Sequence, residues 1–98
     1  MIKIYSTTWC PSCRFAKSLL DSKNVDYEEI NIEEVNISRE KLKEITGGHT
    51  VPQIVINGTS VGGYDQLLKL DQLNKLDKLL NLWNLFLLKL KTIVLSFH

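Results

Sequence analysis

IKIYSTTWCPSCRFAKSLL, running from Ile2 to Leu20, changes its apolar period part-way along. Ile2, Ile4 and Tyr5 suggest a short buried strand, whereas Ala16, Leu19 and Leu20 share one face of a helix. Between the two patterns stand both of the chain's cysteines, Cys10 and Cys13. Pro11 suits a first helical position, where its missing N–H would have had no partner, and this makes Cys10 the N-cap. The next apolar segment, VDYEEINI from Val25 to Ile32, reads as a second strand. Strand, helix and strand in that order imply a right-handed crossover and parallel strands. A cysteine therefore sits at the helix mouth of a βαβ unit.

Beyond it, Ser38 to Thr46 reads as a second helix stopped by Gly47 and Gly48. VPQIVI and TSVGG flank Asn57-Gly58, a dipeptide that tolerates the left-handed backbone of a two-residue hairpin turn. Asp65 is read as the N-cap of a leucine-rich helix reaching at least Leu80, which completes the order βαβαββα. Residues 1–80 are expected to form one domain and residues 81–98 an apolar, helical extension.

Composition narrows the function. A length of 98 residues with 44% hydrophobic content fits one compact domain with a modest core. The formal charge of +1 provides no basic field for nucleic acid. MIKIY enters the first strand directly, with no basic leader or apolar signal region, so the expected location is the cytoplasm. Cysteines three apart close too small a loop to restrict the unfolded chain much, and a reducing cytosol opposes a structural bond. A zinc site needs about four ligands, and besides the cysteines the chain offers only His49 and His98, so no metal is expected. The pair reads as reactive.

An N-cap thiol faces unsatisfied N–H groups and the positive end of the helix dipole, and both favour the thiolate. Cys10 is therefore the expected nucleophile and Cys13, one turn on and facing inward, the resolving thiol. Arg14 and Lys17 add positive charge nearby.

WCPSC after the first strand, TVP at Thr50 to Pro52 and GGYD at Gly62 to Asp65 together resemble the glutaredoxin family over about residues 1–80. The resemblance implies a thioredoxin fold and thiol–disulfide exchange with glutathione as co-substrate and glutathionylated or disulfide-containing proteins as partners. It implies that Pro52 is cis, that Val51 meets the bound peptide through the main chain, and that Thr50, Val51 and Pro52 belong to the glutathione site. Gly63, Tyr64 and Asp65 would hold the γ-glutamyl carboxylate at a helix start. Arg39 corresponds to a family position that contacts the other carboxylate. Three positions depart from the family pattern: Thr7 replaces a frequent lysine, Ser12 a tyrosine and Gln66 an acid.

Two alternatives stay open: a dimer holding an iron–sulfur cluster through Cys10 and glutathione, and a thioredoxin-like donor that does not use glutathione. The tail's Trp83, Phe86, Leu87, Leu90, Ile93, Val94 and Phe97 form a helical series, widened by further leucines. It fits packing on the domain, a homodimer contact, a surface anchor or an appended segment. The run falls short of the ~20 residues a transmembrane span requires.

Overall fold

The computed structural model describes residues 1–80; the expected extension at residues 81–98 lies outside them. β1 (Ile2–Ser6), α1 (Pro11–Ser22), β2 (Glu28–Asn31), α2 (Arg39–Thr46), β3 (Gln53–Ile56), β4 (Thr59–Gly62) and α3 (Tyr64–Gln72) follow in the expected order. The sheet order is β2-β1-β3-β4, with β1 parallel to β2 and the other neighbours antiparallel. This is a thioredoxin fold.

Strand alternation divides the core between the two faces of the sheet. Ile2 and Ile4 of β1 and Ile54 and Ile56 of β3 pack with Ala16 and Leu20 of α1 and Leu67 of α3. Tyr5 and Val55 point the other way and meet Leu42 of α2. Helices α1 and α3 thus cover one face and α2 the other.

Local signals account for the boundaries. The Ser38 hydroxyl accepts from the Lys41 N–H at 3.0 Å, which starts α2 one residue later than expected. Gly47 ends it at φ 88°. Asn57 and Gly58 adopt φ 51° and 82°, the paired left-handed conformations of the anticipated turn.

Three expectations need correction. The second strand spans Glu28–Asn31 rather than Val25 to Ile32, because β1 presents partners only from Lys3 to Ser6. Val25 and Tyr27 still pack on the core from the connection. The N-cap of α3 is Gly63, not Asp65: the Gln66 Oε1 reaches back and accepts from the Gly63 N–H at 2.9 Å. Asp65 lies in the first turn, where a carboxylate suits the dipole. The helix also does not run unbroken to Leu80. It stops at Gln72, Asn74 turns at φ 58°, and residues 75–80 resume as helix. Lys23 straddles the break, with Nζ 2.6 Å from Asp71 and 2.9 Å from Asp77. Leu76 and Leu80 therefore still reach the core.

Candidate active site

The end of β1 feeds a loop held from both sides before it enters α1. Asn31 Nδ2 donates to Thr8 Oγ1 at 3.2 Å, and the Thr8 N–H donates to Glu33 Oε1 at the same distance. Cys10 then takes the extended backbone of an N-cap (φ −151°, ψ 93°), with Pro11 in the first turn. The Cys13 N–H donates to Cys10 Sγ at 3.0 Å, and the Arg14 N–H to the Cys10 carbonyl at 3.2 Å. A sulfur that already receives a helix N–H is one whose anion the same donor would stabilise.

Cys10 and Cys13 are joined in a disulfide, their Cα atoms 5.1 Å apart. Cys10 is 6% exposed and Cys13 only 1%, so access to the pair is through Cys10. Arg14 is exposed on the first turn.

Beside the helix mouth opens a cleft of about 560 Å³. Thr50, Val51 and Pro52 line one part of it, Gly63, Tyr64 and Asp65 another, and Ser12 brings the Cys10–Cys13 turn to its edge. The Val51–Pro52 peptide is cis. Arg39 does not line this cleft: it stands at the first residue of α2, exposed, its Nη1 donating to the His49 carbonyl at 3.2 Å. Among the described residues the lining holds no lysine, arginine or histidine, and Asp65 is its one carboxylate.

Lys17 is turned elsewhere. Its ammonium lies 2.8 Å from Glu29, which also accepts from the Ser6 hydroxyl at 2.9 Å, and the trio joins α1 to β1 and β2. Lys17 holds the Glu29 carboxyl below the usual carboxylate range; burial opposes this and Ser6 assists. A lowered folded-state pKa adds stability above the unfolded carboxylate pKa, lost as pH falls through the lowered value. Lys17→Met should therefore melt below the parent chain near neutrality, and the gap should close on acidification. Thermal melts across an acid series check this; a gap constant with pH would assign the loss to packing.

Several residues that shape the cleft escaped sequence reasoning. Gln53 is 4% exposed, and its Nε2 donates to Thr50 Oγ1 at 3.4 Å. A Cβ on Gly48 would fall 2.5 Å from that same Nε2, so a larger residue there would have to push the Gln53 amide aside. The Ser60 hydroxyl donates to the Thr46 carbonyl at 2.6 Å and ties β4 to the end of α2. Gln66 was visible only as a departure from an acidic residue; that it engages Gly63 needed the fold.

The glutaredoxin family profile matches residues 2–61, more than half of the chain. Glutaredoxin 1 of Rickettsia typhi is 48% identical over 75 residues, covering 72% of this chain and 70% of that protein. The chain belongs to the glutaredoxin family. Glutaredoxin 3 of Escherichia coli K12 is 42% identical over 70 residues, covering 71% of this chain and 84% of the relative. Among solved structures, the buckwheat glutaredoxin–glutathione complex superposes with a TM-score of 0.75 at 28% identity, covering 82% of this chain and 76% of that one. The glutaredoxin of Brucella melitensis gives a TM-score of 0.70 at 39% identity, covering 81% and 86%. As a glutaredoxin the chain is a thiol–disulfide oxidoreductase with a redox-active cysteine pair. No helix among the described residues is long and apolar enough to cross a membrane.

Proposed function

We propose that this glutaredoxin uses glutathione to reduce glutathione mixed disulfides and protein disulfides, with Cys10 as nucleophile and Cys13 as resolving thiol. The observation that carries the reading is the Cys10–Cys13 pair at the mouth of α1, beside a cleft lined by Thr50, Val51, cis-Pro52, Gly63, Tyr64 and Asp65. The buckwheat relative in complex with glutathione supports the choice of thiol. So does the reducing thiol pool of the cytoplasm, where we place the work.

On a glutathionylated protein, the Cys10 thiolate attacks the glutathione sulfur and the protein thiolate leaves and takes a proton. A second glutathione thiolate then attacks the Cys10 mixed disulfide, releasing oxidised glutathione and restoring the Cys10 thiolate. On a protein disulfide, Cys10 forms a mixed disulfide with the protein. The Cys13 thiolate displaces the protein dithiol and closes the Cys10–Cys13 bond, which two glutathiones then reduce.

Pro11 starts the helix, and Arg14 adds a positive charge that favours the thiolate. Val51 supplies main-chain hydrogen bonds to the bound peptide. The N–H groups in the first turn of α3, beyond the Gly63 N–H that Gln66 takes, receive the γ-glutamyl carboxylate. Arg39 spends one of its five donors on His49, and the others are available to the second carboxylate. Arg39→Ala should then raise the glutathione KM severalfold with little change in kcat, on the order of 1 kcal/mol for one exposed charged contact. Steady-state kinetics over a glutathione series check it. An unchanged KM would remove Arg39 from the site. The whole reading is tested by turnover of a glutathionylated peptide by the purified chain, and a brown, glutathione-dependent dimer after anaerobic purification would favour the iron–sulfur alternative instead.

A further inference from the structure

Two large aromatic side chains flanking the cysteine pair in sequence are exposed among the described residues. Trp9, directly before Cys10, is 84% exposed, and Phe15, on α1, is 59% exposed. Neither packs in either core cluster. Thr8 is tied to Asn31 and Glu33, and the Trp9 carbonyl accepts from Thr7 Oγ1 at 3.5 Å, so the backbone beside the indole is anchored to β2 and the loop that follows it. Phe15 leans on Tyr64, ring centroids 5.7 Å apart and planes 30° from parallel, and Tyr64 in turn lines the cleft. Exposed aromatics of this size beside a binding site commonly anchor a partner.

We propose that Trp9 and the Phe15–Tyr64 pair form an apolar collar beside Cys10 that selects protein substrates whose reactive cysteine lies in an extended, apolar stretch of polypeptide. The inference rests on Cys10 being the nucleophile and on glutathione taking the cleft.

Exchange itself decides what occupies the collar. A substrate sulfur has to come within bonding distance of a Cys10 that is only 6% exposed. In an extended chain residues are spaced about 3.4 Å apart, so those flanking the substrate cysteine are brought over Trp9, the immediate neighbour of Cys10. A mixed disulfide has two halves. With the glutathionyl half in the cleft, whose lining does not include Trp9, the polypeptide half is left to cross the indole. Tyr64 lines the cleft and Phe15 packs on it from outside that lining. Exposed charges of both signs border the collar, Arg14 next to Phe15, Asp65 next to Tyr64 and Glu33 on the Thr8 N–H, so the apolar area of the rings is the feature that selects an apolar flank.

The test compares two glutathionylated peptides identical except for the residues flanking the cysteine, leucine and valine in one, serine and glutamine in the other. The value of kcat/KM is measured for each peptide with the parent chain, Trp9→Ser, Trp9→Phe and Phe15→Ser. The parent should prefer the apolar peptide about tenfold. Trp9→Ser should bring the ratio close to one, Phe15→Ser should lower it in part, and Trp9→Phe should restore most of it. Because a ratio is read, a general loss of activity in a variant cancels. Equal use of both peptides by the parent, or a ratio unmoved by Trp9→Ser, overturns the collar while leaving the exchange reading intact. Failure of the parent to turn over either peptide would sink the exchange reading and the collar with it.

Discussion

Cys10→Ser is expected to abolish thiol–disulfide exchange, whereas Cys13→Ser should retain removal of glutathione from glutathionylated peptides and lose most reduction of protein disulfides. A serine hydroxyl does not ionise near neutral pH, so the variant lacks a nucleophile at the helix mouth. Cys13 cannot take its place, because it is 1% exposed and lies behind Cys10. Conversely, Cys10 keeps its helix-mouth position in Cys13→Ser, since the N–H that donates to Cys10 Sγ at 3.0 Å is main chain and survives the substitution. Deglutathionylation needs only one enzyme thiol because a second glutathione resolves the intermediate, and release from a protein disulfide is where the internal thiol matters. Turnover of a glutathionylated peptide and of a protein disulfide by each variant decides the roles. An active Cys10→Ser beside a dead Cys13→Ser would reverse them.

Leu20→Ala should cost about 2–5 kcal/mol of stability, the range for truncating a fully buried leucine. Leu20 is 0% exposed and joins α1 to the cluster containing Ile4, Ile54 and Leu67. Domains of this size are commonly stable by only about 5–15 kcal/mol, and one kcal/mol moves the melting midpoint by roughly 4–8 °C. A fall of at least about 8 °C is expected. Urea titration should show a lower midpoint at unchanged slope, because a cavity lowers stability without altering the surface exposed on unfolding. Leu20 shares α1 with both cysteines yet lies on its buried face, so exchange per folded molecule in the cold should stay close to the parent value. A loss below about 1 kcal/mol would mean that neighbouring side chains close over the gap.

Much of the fold was legible wherever the deciding interaction spans a few residues. Pro11 placed Cys10 at an N-cap, and Asn57-Gly58 placed the hairpin turn; both follow from backbone sterics of adjacent residues. The alternation of Ile2 and Ile4 against Tyr5 was sufficient to identify β1. Asp65 misled because its type favours an N-cap, while the side chain that reaches the helix start belongs to Gln66. The break after Gln72 was hidden because the leucine spacing continues past it into Leu76 and Leu80.

The candidate site divides along the same line. Sequence alone determined that a cysteine pair opens a helix after a strand, and three short motifs were enough to indicate the family. It did not determine which cations serve the site. Lys17 and Arg39 are both plausible from chain position, and only the tertiary structure directs Lys17 to Glu29 and Arg39 to His49 beside Thr50. Nor could local pattern bring Thr50 to Pro52 and Gly63 to Asp65 around one cleft next to Ser12. Those segments are far apart in the chain and meet because β1 and β3 are neighbours in the sheet while α1 and α3 share a face of it. A helix cap or a tight turn is settled by the torsions of a few consecutive residues. The partner of a long, charged side chain is settled by how the whole chain buries its apolar faces.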